Sequence, residues 1–126
     1  VPTYYRKDEK PVVQFDPRLE ISPFALYRRL DEGKETLLVD VRGQGSSRTL
    51  DGAIGGGGEG WEPPPDLDVV LFDDDGTEAV QVASHLIERG FPRVRALFGG
   101  LDLYEFALDP QVVGERTFLI RADRNA

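Results

Sequence analysis

The chain has 126 residues, 40% of them apolar, with 15 basic and 23 acidic side chains and a net charge of −8. That length and apolar content suit one compact domain with one ordinary core, and the absence of cysteine excludes disulfides, thiolate catalysis and cysteine-ligated zinc or iron–sulfur sites. A net negative chain repels a phosphate backbone unless cations are segregated on one face; Arg28-Arg29 and Arg93 with Arg95 stand as separate pairs among acids, so no nucleic-acid surface is expected.

The N-terminal VPTYYRKDEK lacks the apolar core of a signal peptide, and no apolar run approaches the roughly 20 residues that span a bilayer. A soluble, cytoplasmic protein without a membrane partner is the expectation. Residues 1–20 read as a proline-punctuated arm in which Pro11-Val-Val-Gln-Phe15 forms an edge strand or a packed segment, and residues 21–126 as the single domain. Ser22 and Pro23 mark a helix start, the serine as cap and the proline at the first helical position, where no amide is needed. Phe24, Leu26, Tyr27 and Leu30 supply its apolar stripe up to a stop at Gly33.

Thr36 to Asp40 reads as a short buried strand. From Gly43 to Pro65 the chain carries GQGSS, four consecutive glycines and Pro63-Pro-Pro65, and a surface connection is expected; its glycines have no P-loop lysine after them. Leu67 to Phe72 is a second buried strand. Thr77 to Arg89 follows as a helix with Ala79, Val82, Ala83 and Leu86 on one face and Glu78, Gln81, His85 and Glu88 on the other, which places the single histidine in solvent. Arg93 to Leu97 makes a third strand, Leu101 to Phe106 a short helix, and Arg116 to Ile120 a last strand. This alternation predicts an α/β domain with a mainly parallel sheet. In such sheets, sites form where strand ends run into helix N-termini, and Asp73 to Glu78 occupies that place.

VVLFDDDGTE, from Val69 to Glu78, resembles the first motif of haloacid dehalogenase-type phosphotransferases. The resemblance implies a magnesium-dependent phosphatase with Asp73 as nucleophile and Asp75 as acid/base. The other parts of that machine should lie downstream. Yet the lysines, Lys7, Lys10 and Lys34, all precede the motif, no Asp-Asp pair follows Asp75, and too little chain remains after Thr77 for the rest of the core.

A second resemblance covers more of the chain. Ile21-Ser-Pro before a helix, Leu38-Val-Asp-Val-Arg42, Asp51-Gly-Ala-Ile54, Val69-Val-Leu-Phe72 before a tight loop, Gly90-Phe91 and Leu97-Phe-Gly-Gly100 resemble, in order and spacing, the rhodanese homology domain. The resemblance implies a three-layer domain with helices on both faces of a mainly parallel sheet. It also implies a six-residue loop whose leading cysteine carries sulfur as a persulfide stabilised by loop amides. Asp73 stands at that place here, as in the non-catalytic domains of tandem sulfurtransferases, and Thr49 stands near the family's histidine. A carboxylate cannot carry a persulfide, so a catalytically inactive rhodanese-like domain serving as a binding or regulatory module, with no cofactor, is the leading expectation.

The degenerate loop is then Asp73, Asp74, Asp75, Gly76, Thr77 and Glu78, with Asp40, Arg42 and Trp61 as site neighbours. Four carboxylates in six positions favour a cation or a protein partner with a basic surface over an anion. Their crowding is expected to raise the pKa of at least one of them. A divalent-cation loop built from Asp73, Asp75 and Glu78 is the alternative; acids that simply cap and favour the following helix are the plainer one.

Overall fold

In the computed structural model, residues 4–5, 11–12, 15–42, 48–108 and 116–121 are described. Half of the predicted arm, Val13 and Gln14 included, and the GQGSS segment lie outside them. Within the arm, β1 (Tyr4–Tyr5) and β2 (Pro11–Val12) form an antiparallel pair with Tyr4 opposite Val12. After β3 (Glu20–Ile21), helix α1 (Pro23–Asp31) begins as its sequence directs: the Ser22 side chain accepts from the Ala25 amide at 3.2 Å, and Pro23 sits in the first turn. Gly33, at φ +74°, lets the chain turn away after the helix.

The remaining elements are β4 (Thr36–Asp40), β5 (Arg48–Leu50), β6 (Ile54–Gly55), β7 (Asp68–Phe72), α2 (Thr77–Glu88), β8 (Val94–Leu97), α3 (Gly100–Ala107) and β9 (Leu119–Arg121). Five strands make one sheet in the order β3-β8-β7-β4-β6, with every neighbouring pair parallel. The period-two alternation of the strands divides the core into two layers. Leu38, Val70, Phe72 and Leu97 face Leu26 of α1 and Leu101 and Tyr104 of α3. Val39, Val69, Leu71, Val94 and Ala96 face Ala79, Ala83 and Leu86 of α2. The result is a helix–sheet–helix sandwich, in which each buried leucine or valine contributes roughly 2 kcal/mol relative to exposure. No helix among the described residues is long and apolar enough to cross a membrane.

Three local expectations change. Phe24 is 48% exposed, because the core-facing stripe of α1 runs through Pro23 and Leu26 instead. The stretch predicted as connection contains two short strands: β6 extends the main sheet beside β4, and β5 pairs with β9 in a separate antiparallel ladder, Leu50 opposite Leu119. Neither strand has a periodicity of its own long enough to be read, since each is defined by a partner remote in sequence. The predicted last strand is accordingly shifted to Leu119–Arg121, outside the main sheet.

The β5–β9 ladder is tied to α3 by the buried Tyr104 hydroxyl, which donates to the Thr117 carbonyl. Burial lifts the Tyr104 phenol well above its ordinary range, so it acts as a donor at any physiological pH. Tyr104→Phe is expected to lower stability by about 1 kcal/mol, read as a shift of the urea midpoint. Unchanged stability would show that Thr117 finds another donor.

Candidate functional site

Strands β4, β7 and β8 end at Asp40, Phe72 and Leu97, and Arg42, just after β4, lies at the carboxyl edge of the sheet with the loops that follow β7 and β8. The loop after β7 is built around Asp73, which is only 4% exposed. One of its carboxylate oxygens accepts the Gly76 amide at 2.6 Å; the other accepts the Glu78 amide at 2.8 Å and the Ala79 amide at 3.3 Å. Helix α2 starts from Gly76, which has φ +92° and no side chain to cap with. Its first-turn amides would otherwise lack partners, and the Asp73 carboxylate supplies them from the strand end, where the positive end of the helix also favours it.

The outer side of the same loop rests on α3. The Leu101 amide donates to the Asp73 carbonyl and the Asp102 amide to the Asp74 carbonyl, both at 2.9 Å. This approach requires the Gly99-Gly100 turn: a Cβ on Gly100, at φ +64°, would lie 2.5 Å from the carbonyl carbon and oxygen of Asp74 and 2.6 Å from the Asp75 nitrogen. The loop is thus held on both sides, by α2 amides on a side chain and by α3 amides on the backbone.

Two of the other loop carboxylates also have partners. Asp75 accepts the Thr77 amide at 3.0 Å and the Thr77 hydroxyl at 2.7 Å. Those two bonds, the amide first, hold its carboxyl below the ordinary aspartate value, against the upward displacement that crowding predicts for the loop. Asp74, pointing outward, receives Arg42 Nη1 at 2.8 Å and Arg48 Nη2 at 3.0 Å. Glu78 is exposed on the first turn of α2.

Arg42 is the centre of the neighbouring charges. Its Nε and Nη2 grip both oxygens of buried Asp40 at 2.9 and 2.8 Å, its Nη2 also donates to the Arg48 carbonyl at 2.6 Å, and its guanidinium lies 5.8 Å from the centre of the Phe72 ring. The hydrogen bonds to Asp40 raise the Arg42 pKa further above its ordinary value. Arg48, unremarkable in the sequence, extends the network: it reaches Asp102 at 2.8 Å and Glu105 at 3.0 Å, and Glu105 also pairs with Arg121. Only the tertiary fold brings Arg48 beside Asp74 and Asp102, so no local signal announces it. Trp61 lies apart from this cluster. It is half-buried against the α2-side core, close enough to Gly56 that a Cβ there would lie 2.9 Å from its ring.

Asp73 has both oxygens engaged by amides, and Asp75 turns one oxygen onto Thr77 while its side chain stays exposed. Asp73, Asp75 and Glu78 do not converge, and among the described residues no group of three or more acidic or histidine side chains is placed to hold a metal ion. His85 is exposed on the outer face of α2.

No protein-family model and no curated protein matches the chain. Solved structures do. A Bacillus halodurans protein superposes with a TM-score of 0.60 at 16% identity, covering 72% of this chain and 74% of its own. A Lactobacillus plantarum protein gives 0.55 at 18% identity, covering 71% and 83%. A rhodanese-related protein of Thermoplasma volcanium gives 0.52 at 14% identity, covering 68% and 89%. Identities this low carry the architecture alone, and the architecture agrees with the three-layer, mainly parallel arrangement. The chain has a rhodanese-like fold, and it contains no cysteine.

Proposed function

We propose that this is a catalytically inactive rhodanese-like domain that works as a binding or regulatory module through the loop from Asp73 to Glu78. The observation that carries the proposal is the Asp73 carboxylate seated on the Gly76, Glu78 and Ala79 amides. In the rhodanese pattern, loop amides of this kind stabilise an anionic persulfide on the leading cysteine. Here the leading residue is itself the anion, and it has no sulfur to transfer.

The surface left for a partner is the outer rim of the loop. Asp74 is already neutralised by two arginines, which leaves exposed Asp75 and Glu78 as its acidic features and favours a protein partner with a basic surface.

The test begins with enzyme assays on the unmodified protein. Thiosulfate-to-cyanide sulfur transfer and magnesium-dependent hydrolysis of a chromogenic phosphate monoester are both expected at the protein-free rate. Thiocyanate formed in proportion to protein would overturn the proposal, as would phosphate hydrolysis lost in Asp73→Asn. For the partner, amide resonances of Asp75 to Glu78 are expected to move on titration with an octalysine peptide at low salt. A response no larger than that at Glu88, at the far end of α2, would remove the basic-partner assignment.

A further inference from the structure

The two arginine pairs that stand apart in the sequence line adjoining clefts in the fold. Arg28 and Arg29 lie in the last turn of α1. Arg95, two residues before Leu97 on β8, shares the sheet face that α1 covers. Between them runs an open groove of about 500 Å³, with Phe15, Ile21 and Ala25 supplying apolar lining and Lys34 a further cation. It is bounded by α1, β3 and β8, away from the loop of Asp73.

The charges lining this groove are not equivalent. Arg29 is held by Asp68 at 3.0 Å and Lys34 by Glu32 at 3.6 Å. Arg93, which lines the adjoining cleft with Arg29 and Arg95, also pairs with Asp68, at 3.0 Å. Glu20 also lines the groove; it is 8% exposed and turns one oxygen onto the Asp16 amide. Arg28 and Arg95, by contrast, are exposed and make no hydrogen bond or ion pair with the described residues. In a chain of net charge −8, two unpaired guanidinium groups flank one partly apolar groove.

We propose that this groove binds an acidic peptide segment of a protein partner, its carboxylates on Arg28 and Arg95 and an apolar side chain against Phe15 and Ile21. A guanidinium presents a fork of donors matched to a carboxylate. Phe15 is 40% exposed, and the apolar lining suits a side chain that a simple inorganic anion lacks. Two unpaired guanidinium groups at one groove are too few to hold a nucleic-acid backbone, whose affinity grows with the number of phosphates neutralised. The groove is remote from the loop, so this proposal does not depend on the loop's being inactive.

The probe is a fluorescein-labelled octapeptide with a central Leu-Phe pair flanked by three acidic residues on each side, followed by fluorescence anisotropy. Saturable binding is expected at about 20 mM salt, weakening steeply as salt rises. Arg28→Glu with Arg95→Glu should weaken it at least about tenfold, and a peptide with Gly-Gly at its centre should bind several-fold more weakly. Both arginines are exposed and unpaired, so the double variant is expected to keep its circular dichroism spectrum and melting point, which separates lost binding from lost folding. Absence of saturable binding, or equal binding by the folded double variant, would overturn the proposal. Equal affinity for the Gly-Gly peptide, or displacement by sodium sulfate at matched ionic strength as effective as by unlabelled peptide, would instead make this a simple anion site. Sedimentation showing a dimer that the double variant abolishes would assign the groove to a second copy of this chain.

Discussion

Gly100→Ala is expected to cost about 4 kcal/mol, enough to unfold a substantial fraction of molecules if the domain's stability lies at the low end of the usual 5–15 kcal/mol. Two effects add. The residue has φ +64°, where a Cβ carries a penalty of roughly 1–2 kcal/mol. That Cβ would also sit 2.5 Å from backbone atoms of Asp74, and backbone cannot swing aside as a flexible side chain can, so an overpacking cost of roughly 1–3 kcal/mol follows. The control is Gly33→Ala, at φ +74° with nothing within 4 Å of the added atom, where only the conformational penalty of about 1 kcal/mol applies. Urea unfolding of both variants distinguishes the terms; equal losses would show that the loop and α3 are not in close contact.

Asp73→Ala is expected to destabilise the domain by about 3 kcal/mol. Alanine leaves the amides of Gly76, Glu78 and Ala79 without their acceptor, and each buried orphan donor costs roughly 1–3 kcal/mol unless the loop shifts or water enters to serve it. Asp73→Asn keeps one carbonyl oxygen but puts an NH2 group against donors, so a loss of about half that size is expected. Thermal unfolding should show a fall of roughly 10 °C for the alanine variant, with faster hydrogen exchange at Gly76 and Ala79. An asparagine variant as stable as the parent, or an alanine variant with unchanged exchange, would show that the carboxylate does not hold the loop.

The sequence carries most of the architecture because its elements are marked locally. Ser22 and Pro23 announce α1, apolar runs bounded by polar residues announce β4 and β7, and the spacing of Ala79, Ala83 and Leu86 announces α2. The position of Asp73 at a strand end ahead of a helix is readable in the same way. What escapes is whatever depends on distant partners. β5 exists because Leu50 lies opposite Leu119, and nothing near Arg48 shows that it will meet Asp74 and Asp102. The basic groove fails to appear for the same reason: Arg28 and Arg95 are separated by most of the domain, and their proximity comes from β3 and β8 being neighbours in the sheet. The Asp-rich loop errs in the other direction. Its letters suggest a bare negative patch, whereas the fold supplies Arg42, Arg48 and three amides to compensate it.

The carboxylate on the α2 amides also changes how the loop answers mass action. A loop organised by a diffusible anion is stabilised by RT ln(1 + [L]/Kd), and so is held only as firmly as the surrounding concentration allows. An anion carried on the chain next to its site has an effective concentration set by covalent geometry, and dilution does not alter it. The anion that organises the loop of Asp73 is therefore supplied by the chain itself, and its hold on the α2 amides does not depend on the concentration of any free anion.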